Sequence, residues 1–273
     1  MKRTLFVHEY LRTRGFLAGL FALSAAVVAA GTLLMALPIN VLAGLGAVIA
    51  VITVSVFMPI VTFDLAIDYW RSAYGRGGYL TQSLPVKGST IFAVRLAYGA
   101  VALLVALVVN LLLAAPVALV AAGKAAPEGV GAVEYITTTL QAADPPVSWG
   151  VAAVGALILF VSAFGYLVTF YFAVSFGNES RFARLGVAGP IVVWFAVYVL
   201  MQVAAIAGIA LIPAGIDYVN GGFTLVSRNW MEVLFEQQQT TGMPFGFIPV
   251  SVVVVAALIW RTAHSWNHKV SLR

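Results

Sequence analysis

Six stretches of this sequence are each long and apolar enough to cross a lipid bilayer as a helix. They run over residues 16–37, 41–63, 96–122, 151–174, 187–212 and 247–260, and the last reaches full length if it begins near Pro244. A helix rises about 1.5 Å per residue, so about 20 apolar residues span the hydrocarbon core. Of 273 residues, 62% are hydrophobic and 9% are charged, whereas a soluble domain carries about 25% charged residues. Such a chain cannot cover a water-facing surface with polar groups. The expected fold is an all-α membrane protein of six transmembrane helices, organised as a single transmembrane domain over 1–273. The basic N-terminus and the apolar run behind it do not read as a cleaved signal peptide, because that run exceeds the 7–15 residues of an h-region.

An even number of spans puts both termini on one side. Basic residues mark that side as the cytoplasmic one. Lys2, Arg3, Arg12, Arg14, Arg71, Arg76, Lys87, Arg95, Arg181, Arg184, Arg261, Lys269 and Arg273 all fall in the segments that share a side with the termini, which is thirteen of the fifteen Lys and Arg. Only Lys124 and Arg228 fall opposite, where Glu128, Glu134, Asp144, Asp217, Glu232 and Glu236 also lie. The expected location is the cell (cytoplasmic) membrane, with N- and C-termini inside.

Residues 1–14 mix Leu5, Phe6 and Tyr10 with Lys2, Arg3, Arg12 and Arg14, a pattern that fits an amphipathic interfacial helix or a basic flank that sets topology. Three connections exceed a tight turn: a cytoplasmic loop over 64–95, and extracellular loops over 123–150 and 213–243. In the last of these, Arg228, Trp230, Glu232, Phe235 and Glu236 fit a small external helix that caps an exit path or shields the bundle.

Chemistry of its own is hard to find in this chain. It has no cysteine, no His-Glu-x-x-His, no Gly-x-Ser-x-Gly and no phosphate-binding Gly-rich loop. No catalytic residue, metal site or bound cofactor is expected. His264 and His268 are four apart with no carboxylate nearby, a poor metal site. Charges inside the spans are almost lacking. Asp64 and Asp68 follow the second span on one helical face, with Asp68 spaced to pair with Arg71; a coupling role for Asp64 is the alternative reading. Asn110 and Gln202, polar residues within spans, either bond a neighbouring helix or touch a substrate. Pro59, Pro116 and Pro190 are expected to kink or end helices.

The loop after the second span carries the most information. It has Tyr69, Trp70, Tyr74 and Tyr79, a glycine-rich break at Gly75, Gly77 and Gly78, a short helix over 79–83 stopped by Pro85, and Ser89 placed as an N-cap. Aromatics around a short helix read as a docking surface, or as a turn anchored in lipid headgroups.

Within that loop stands Tyr74-Gly75-x-x-Gly78-Tyr79-Leu80-Thr81-x-x-Leu84-Pro85-Val86. This string resembles one found after the second span in Gram-positive permease subunits of type-2 ABC exporters. Arg76 and Gly77 depart from the acidic pair often seen there, which bears on partner choice. The six-span layout with both termini inside is similar too. The resemblance implies a coupling helix that docks on a separate ATP-binding subunit, with two permease chains, identical or homologous, and two ATPase chains in the machine. It implies that Tyr74, Tyr79, Leu80, Thr81 and Leu84 meet the ATPase, that Gly77 and Gly78 allow the turn, and that Pro85 ends the helix. ATP and Mg would sit on the partner ATPase, and this chain would not itself be an enzyme. The cargo expected is amphipathic or lipophilic: a peptide, a drug or a lipid. An ion-coupled secondary transporter or a membrane assembly factor is the competing expectation. No nucleic acid is expected as a partner.

Overall fold

In the computed structural model, residues 2–75, 78, 85–143, 146–179, 185–186, 188–219, 222–235 and 242–268 are described. Their elements, in chain order, are α1 (Lys2–Ala36), α2 (Asn40–Ala73), α3 (Gly88–Ala125), α4 (Ala132–Ala142), α5 (Trp149–Gly177), α6 (Ala188–Leu211), β1 (Ala214–Val219), β2 (Gly222–Ser227), α7 (Trp230–Phe235), β3 (Met243–Pro244) and α8 (Phe247–His268). Six of them, α1, α2, α3, α5, α6 and α8, are long and apolar enough to cross a membrane. The protein is a multi-pass, α-helical membrane protein.

The first three spanning helices are longer than a bilayer requires. At 35 residues, α1 extends about 52 Å, against about 30 Å of hydrocarbon. Helical structure therefore continues into the polar flanks, and Asp64 and Asp68 stand on the last turns of α2. Residues 2–14 are helical as expected. They do not make a separate interfacial helix but form the first turns of α1. Pro59 and Pro116 lie inside α2 and α3 and end neither. Pro190 sits in the first turn of α6, where a missing N–H leaves no gap. Thr32, Thr53, Thr62 and Thr262 each donate a hydroxyl to the carbonyl four residues back, which satisfies that hydroxyl within its own helix.

The chain divides into two compact units, Met1–Arg71 with Ala93–Leu167, and Ser72–Phe92 with Val168–Arg273. In the first, α1 and α2 approach through glycines. A Cβ at Gly31 would meet the Gly46 carbonyl at 2.9 Å, and one at Gly46 would meet the Met35 amide and Leu34 side chain. Close backbone approach of this kind is how helices associate in lipid, where burial from water no longer drives them together. Val28, Ala50, Phe57, Val61, Leu65, Leu103, Ala106 and Leu167 are buried in this unit. Residues 123–150 were expected to form a loop without structure of its own. It contains α4, which carries Val133, Ile136 and Leu140 on one side, Glu134, Thr137 and Thr138 between them, and no buried residue.

The second unit packs α6 against α8, with Gly208 facing the Gly246 backbone. Gly177, at the end of α5, presses on Gly189 and Pro190 at the start of α6. Between α6 and α8 stands an antiparallel sheet of order β2-β1-β3, paired through Ile216↔Leu225 and Ile216↔Met243. The small helix expected around Trp230 is present as α7; the strands beside it were not expected. β1 and β2, of six residues each, show too little polar–apolar alternation to stand out in an apolar sequence, and β3 has only two residues.

Candidate functional site

The last turns of α8 carry a set of polar and aromatic contacts. Residues 261–267 present Arg261, Thr262, Ser265, Trp266 and Asn267 on the last two turns of this 22-residue helix, beyond the apolar run that ends at Trp260. Their partners come from both sides of the loop over 74–87 and from the end of α5.

At the loop's first stem, the Tyr74 ring meets the Trp266 ring edge-on, with centroids 6.1 Å apart. At its second stem, the Ser89 N–H donates to Asn267 Oδ1 at 2.9 Å. The N-cap acceptor of α3 is therefore Asn267, and not the Ser89 hydroxyl that local sequence favours. A short local cap and a distant amide compete for the same orphan N–H groups, and tertiary packing brings the amide. Gly88 stands so close to the Trp266 carbonyl that a Cβ would not fit. Both stems of the loop are thus seated on one turn of α8.

The same stretch of α8 holds the chain as it leaves α5. Arg261 Nη2 donates to both carboxylate oxygens of Glu179, at 2.8 and 3.1 Å, and Ser265 Oγ donates to Oε1 at 2.8 Å. The Arg261 guanidinium lies 4.9 Å from the Phe176 ring centre. Glu179 is buried. An ion pair this enclosed holds only because its remaining acceptor positions are filled, and removal of one partner typically costs about 3–5 kcal/mol. None of Glu179, Ser265, Trp266 and Asn267 stands out in the sequence. The available signal was the i,i+4 spacing of Arg261 with Ser265 and of Thr262 with Trp266, beyond the end of the apolar run.

Of the expected docking residues, Tyr74 is half-buried against Trp266. Gly78 is buried: its N–H donates to the Gly75 carbonyl at 2.8 Å, and a Cβ there would collide with the Ala73 backbone. Pro85 is exposed in a bend. Gly77, Tyr79, Leu80, Thr81 and Leu84 lie outside the described residues. Tyr69 does not belong to any docking surface, because it is buried in the first unit.

That unit has a polar cluster of its own where α1 begins, α2 ends and α3 begins. Arg12 bonds Glu9 and also Asp68, the latter through Nη2 at 2.6 Å and Nε at 3.1 Å. Arg95 Nε donates to Glu9 Oε1 at 3.2 Å, and its guanidinium lies 5.7 Å from the Tyr69 ring centre. The Thr13 and Tyr98 hydroxyls bond each other, and Phe6 meets the Tyr98 ring edge-on. Asp68 therefore pairs with Arg12, 56 positions away, and not by the i,i+3 spacing with Arg71 that the sequence offered. These bonds also give the physical reason that residues 2–14 continue α1: Glu9 and Thr13 are buried against α2 and α3.

Asn110 is half-buried in α3 with its Oδ1 enclosed and without a hydrogen-bond partner among the described residues. Gln202, on α6, is exposed. Asp64 keeps one carboxylate oxygen enclosed and unbonded among the described residues. His264 stacks on Trp260 with ring centres 6.0 Å apart, and no group of three or more metal-ligating side chains occurs among the described residues.

No family model matches the chain, and neither a curated protein nor a solved structure is detectably similar to it.

Proposed function

We propose that this chain is the permease subunit of an ATP-driven ABC exporter, that its loop over 74–87 engages a separate ATPase, and that the α8 terminus relays the loop's displacement to the spans. The observation that carries this reading is the seating of both loop stems on Trp266 and Asn267, one turn of a spanning helix. A loop so held cannot be pushed without moving α8. The same helix clamps Glu179 at the end of α5, so one displacement reaches two spans. The string from Tyr74 to Val86 supplies the family resemblance, and the strong bias of Lys and Arg supports a cytoplasmic place for this loop and both termini. Two ATPase copies, with ATP and Mg, and a second permease chain would complete the machine in the cell membrane. Its cargo would be amphipathic or lipophilic.

The test is co-expression with a candidate ATPase and purification in mild detergent. Wild type retains the ATPase in stoichiometric amount. Tyr79→Ala/Leu80→Asp releases it while the permease stays monodisperse. If well-folded wild type retains none, the exporter reading is wrong.

One observation favours a second reading. One Asp64 oxygen, without a bond among the described residues, stands on the last turns of α2, where an ion or proton would find a carboxylate waiting. Under that reading transport follows an ion gradient without any ATPase, and Asp64→Asn abolishes it.

A further inference from the structure

The sheet between α6 and α8 has two unlike faces. Directly paired residues of an antiparallel sheet point to the same side, and successive residues to opposite sides. Gly215 and Asp217 share one face. A Cβ at Gly215 would run into the Trp230 indole, so α7 covers that face, and Trp230 is buried there. Asp217 is also buried and accepts from Arg228 Nη2 at 2.6 Å, while the Arg228 guanidinium lies over Trp230 at 5.4 Å. The covered face thus holds an aromatic ring and an ion pair.

The other face carries a row of apolar side chains across all three strands: Leu225, Ile216 and Met243 in register. Leu225 is 81% exposed and Met243 71%. This is the reverse of the usual arrangement, in which an antiparallel sheet turns its apolar face inward and its polar face to water.

We infer that this apolar face lies in the interfacial layer of the bilayer that the protein spans, and that the lipid surface is its partner. The argument rests on continuity with the lipid-covered spans. Only Ile212 and Pro213 separate α6 from β1, and only Phe245 and Gly246 separate β3 from α8. Three chain steps reach at most about 11 Å, so β1 starts within that distance of Leu211, itself an exposed apolar residue at the end of a span. The Phe245 N–H donates to the Ala214 carbonyl at 2.8 Å, and Gly246 rests on Gly208 one turn inside α6. The sheet is therefore held at its root against both spans, within the headgroup layer of roughly 5–8 Å on each side of the hydrocarbon. Exposed apolar side chains at that depth lower the free energy by leaving water for lipid. The inference is independent of what the protein transports.

The chain has no cysteine, so single thiols can be placed without background. Leu225→Cys and its neighbour Thr224→Cys, which is exposed on the covered side of the sheet, would each be labelled with a nitrobenzoxadiazole fluorophore. Both would be reconstituted in phosphatidylcholine–phosphatidylglycerol vesicles. At 225 the emission shifts to the blue, shallow doxyl-labelled phosphatidylcholine quenches it, and iodide quenches it several-fold less than at 224. Met243→Cys, on the opposite edge, behaves as 225 does and guards against one variant that fails to fold. Equal iodide quenching at 224 and 225, with no quenching by doxyl lipid, overturns the inference. Disulfide cross-linking of two chains through Cys at 225, with doxyl lipid excluded, also overturns it, because a second copy would then be the occupant.

Discussion

Arg95 and Glu9 stand 86 positions apart in the chain and meet as a buried ion pair, with side chains 3% and 9% exposed and Nε 3.2 Å from Oε1. The pair links the start of α3 to α1, and Arg12 extends the link to Asp68 on α2. Three helices that share no sequence neighbourhood are thereby fixed at one end.

Loss of one member leaves the other charge enclosed. Glu9→Ala is expected to destabilise the protein by about 3–5 kcal/mol, read as a marked fall in the temperature at which the detergent-solubilised protein loses its monodisperse peak. Glu9→Leu/Arg95→Leu, which removes both charges, is expected to recover most of that loss. If Glu9→Ala leaves the midpoint unchanged, the pair does not hold α1 in place.

A second expectation concerns the glycine crossing of α1 and α2. Gly46→Leu has no room, because the atoms it would meet are the backbones of Gly31 and Met35 and the Cβ of Leu34, none of them a movable side-chain tip. Its cost should reach or exceed the upper end of the ~1–3 kcal/mol usual for overpacking. Gly44→Ala faces open space and serves as the neutral control. The same thermal assay separates the two, and equal midpoints would contradict the close approach.

The cap of α3 offers a sharper test of tertiary against local chemistry. Asn267→Ala should cost about 1 kcal/mol and speed amide hydrogen exchange at residues 89–91. Ser89→Ala should leave that exchange unchanged. The opposite pattern would return the cap to Ser89.

At the α8 terminus, Arg261→Lys is not a conservative change. Lysine has no planar guanidinium to lay over Phe176, and its strongly hydrated ammonium would have to be buried to take the place of the Nη2 that meets both oxygens of Glu179. A loss of stability comparable to that of Arg261→Ala is expected. Full thermal stability in the lysine variant would show that a point charge suffices there.

Much of this architecture was legible in the sequence. Six runs of about 20 apolar residues admit few other solutions, because lipid cannot satisfy exposed backbone groups and only helices or closed barrels cross it. The helical end of α2 and the small helix around Trp230 were legible for local reasons, as helix periodicity and turn residues sit beside them. The sequence could not say that Asp68 would choose Arg12 over Arg71, that Asn267 would cap α3, or that Glu179 would be enclosed by Arg261 and Ser265. Each local choice was chemically reasonable, and each lost to a group brought near by packing. The β1–β2 hairpin was hidden because its apolar residues stand in no contrast to the apolar sequence around them.

Composition and hydropathy, properties of neighbours along the chain, thus determined on their own that this protein spans a membrane, and how often. The pairing of its few charges and the seating of both loop stems on α8 were decided only by tertiary structure. Those choices depend on distances between residues far apart in sequence, and in a low-dielectric interior a distance of a few ångströms decides which partner a charge will have.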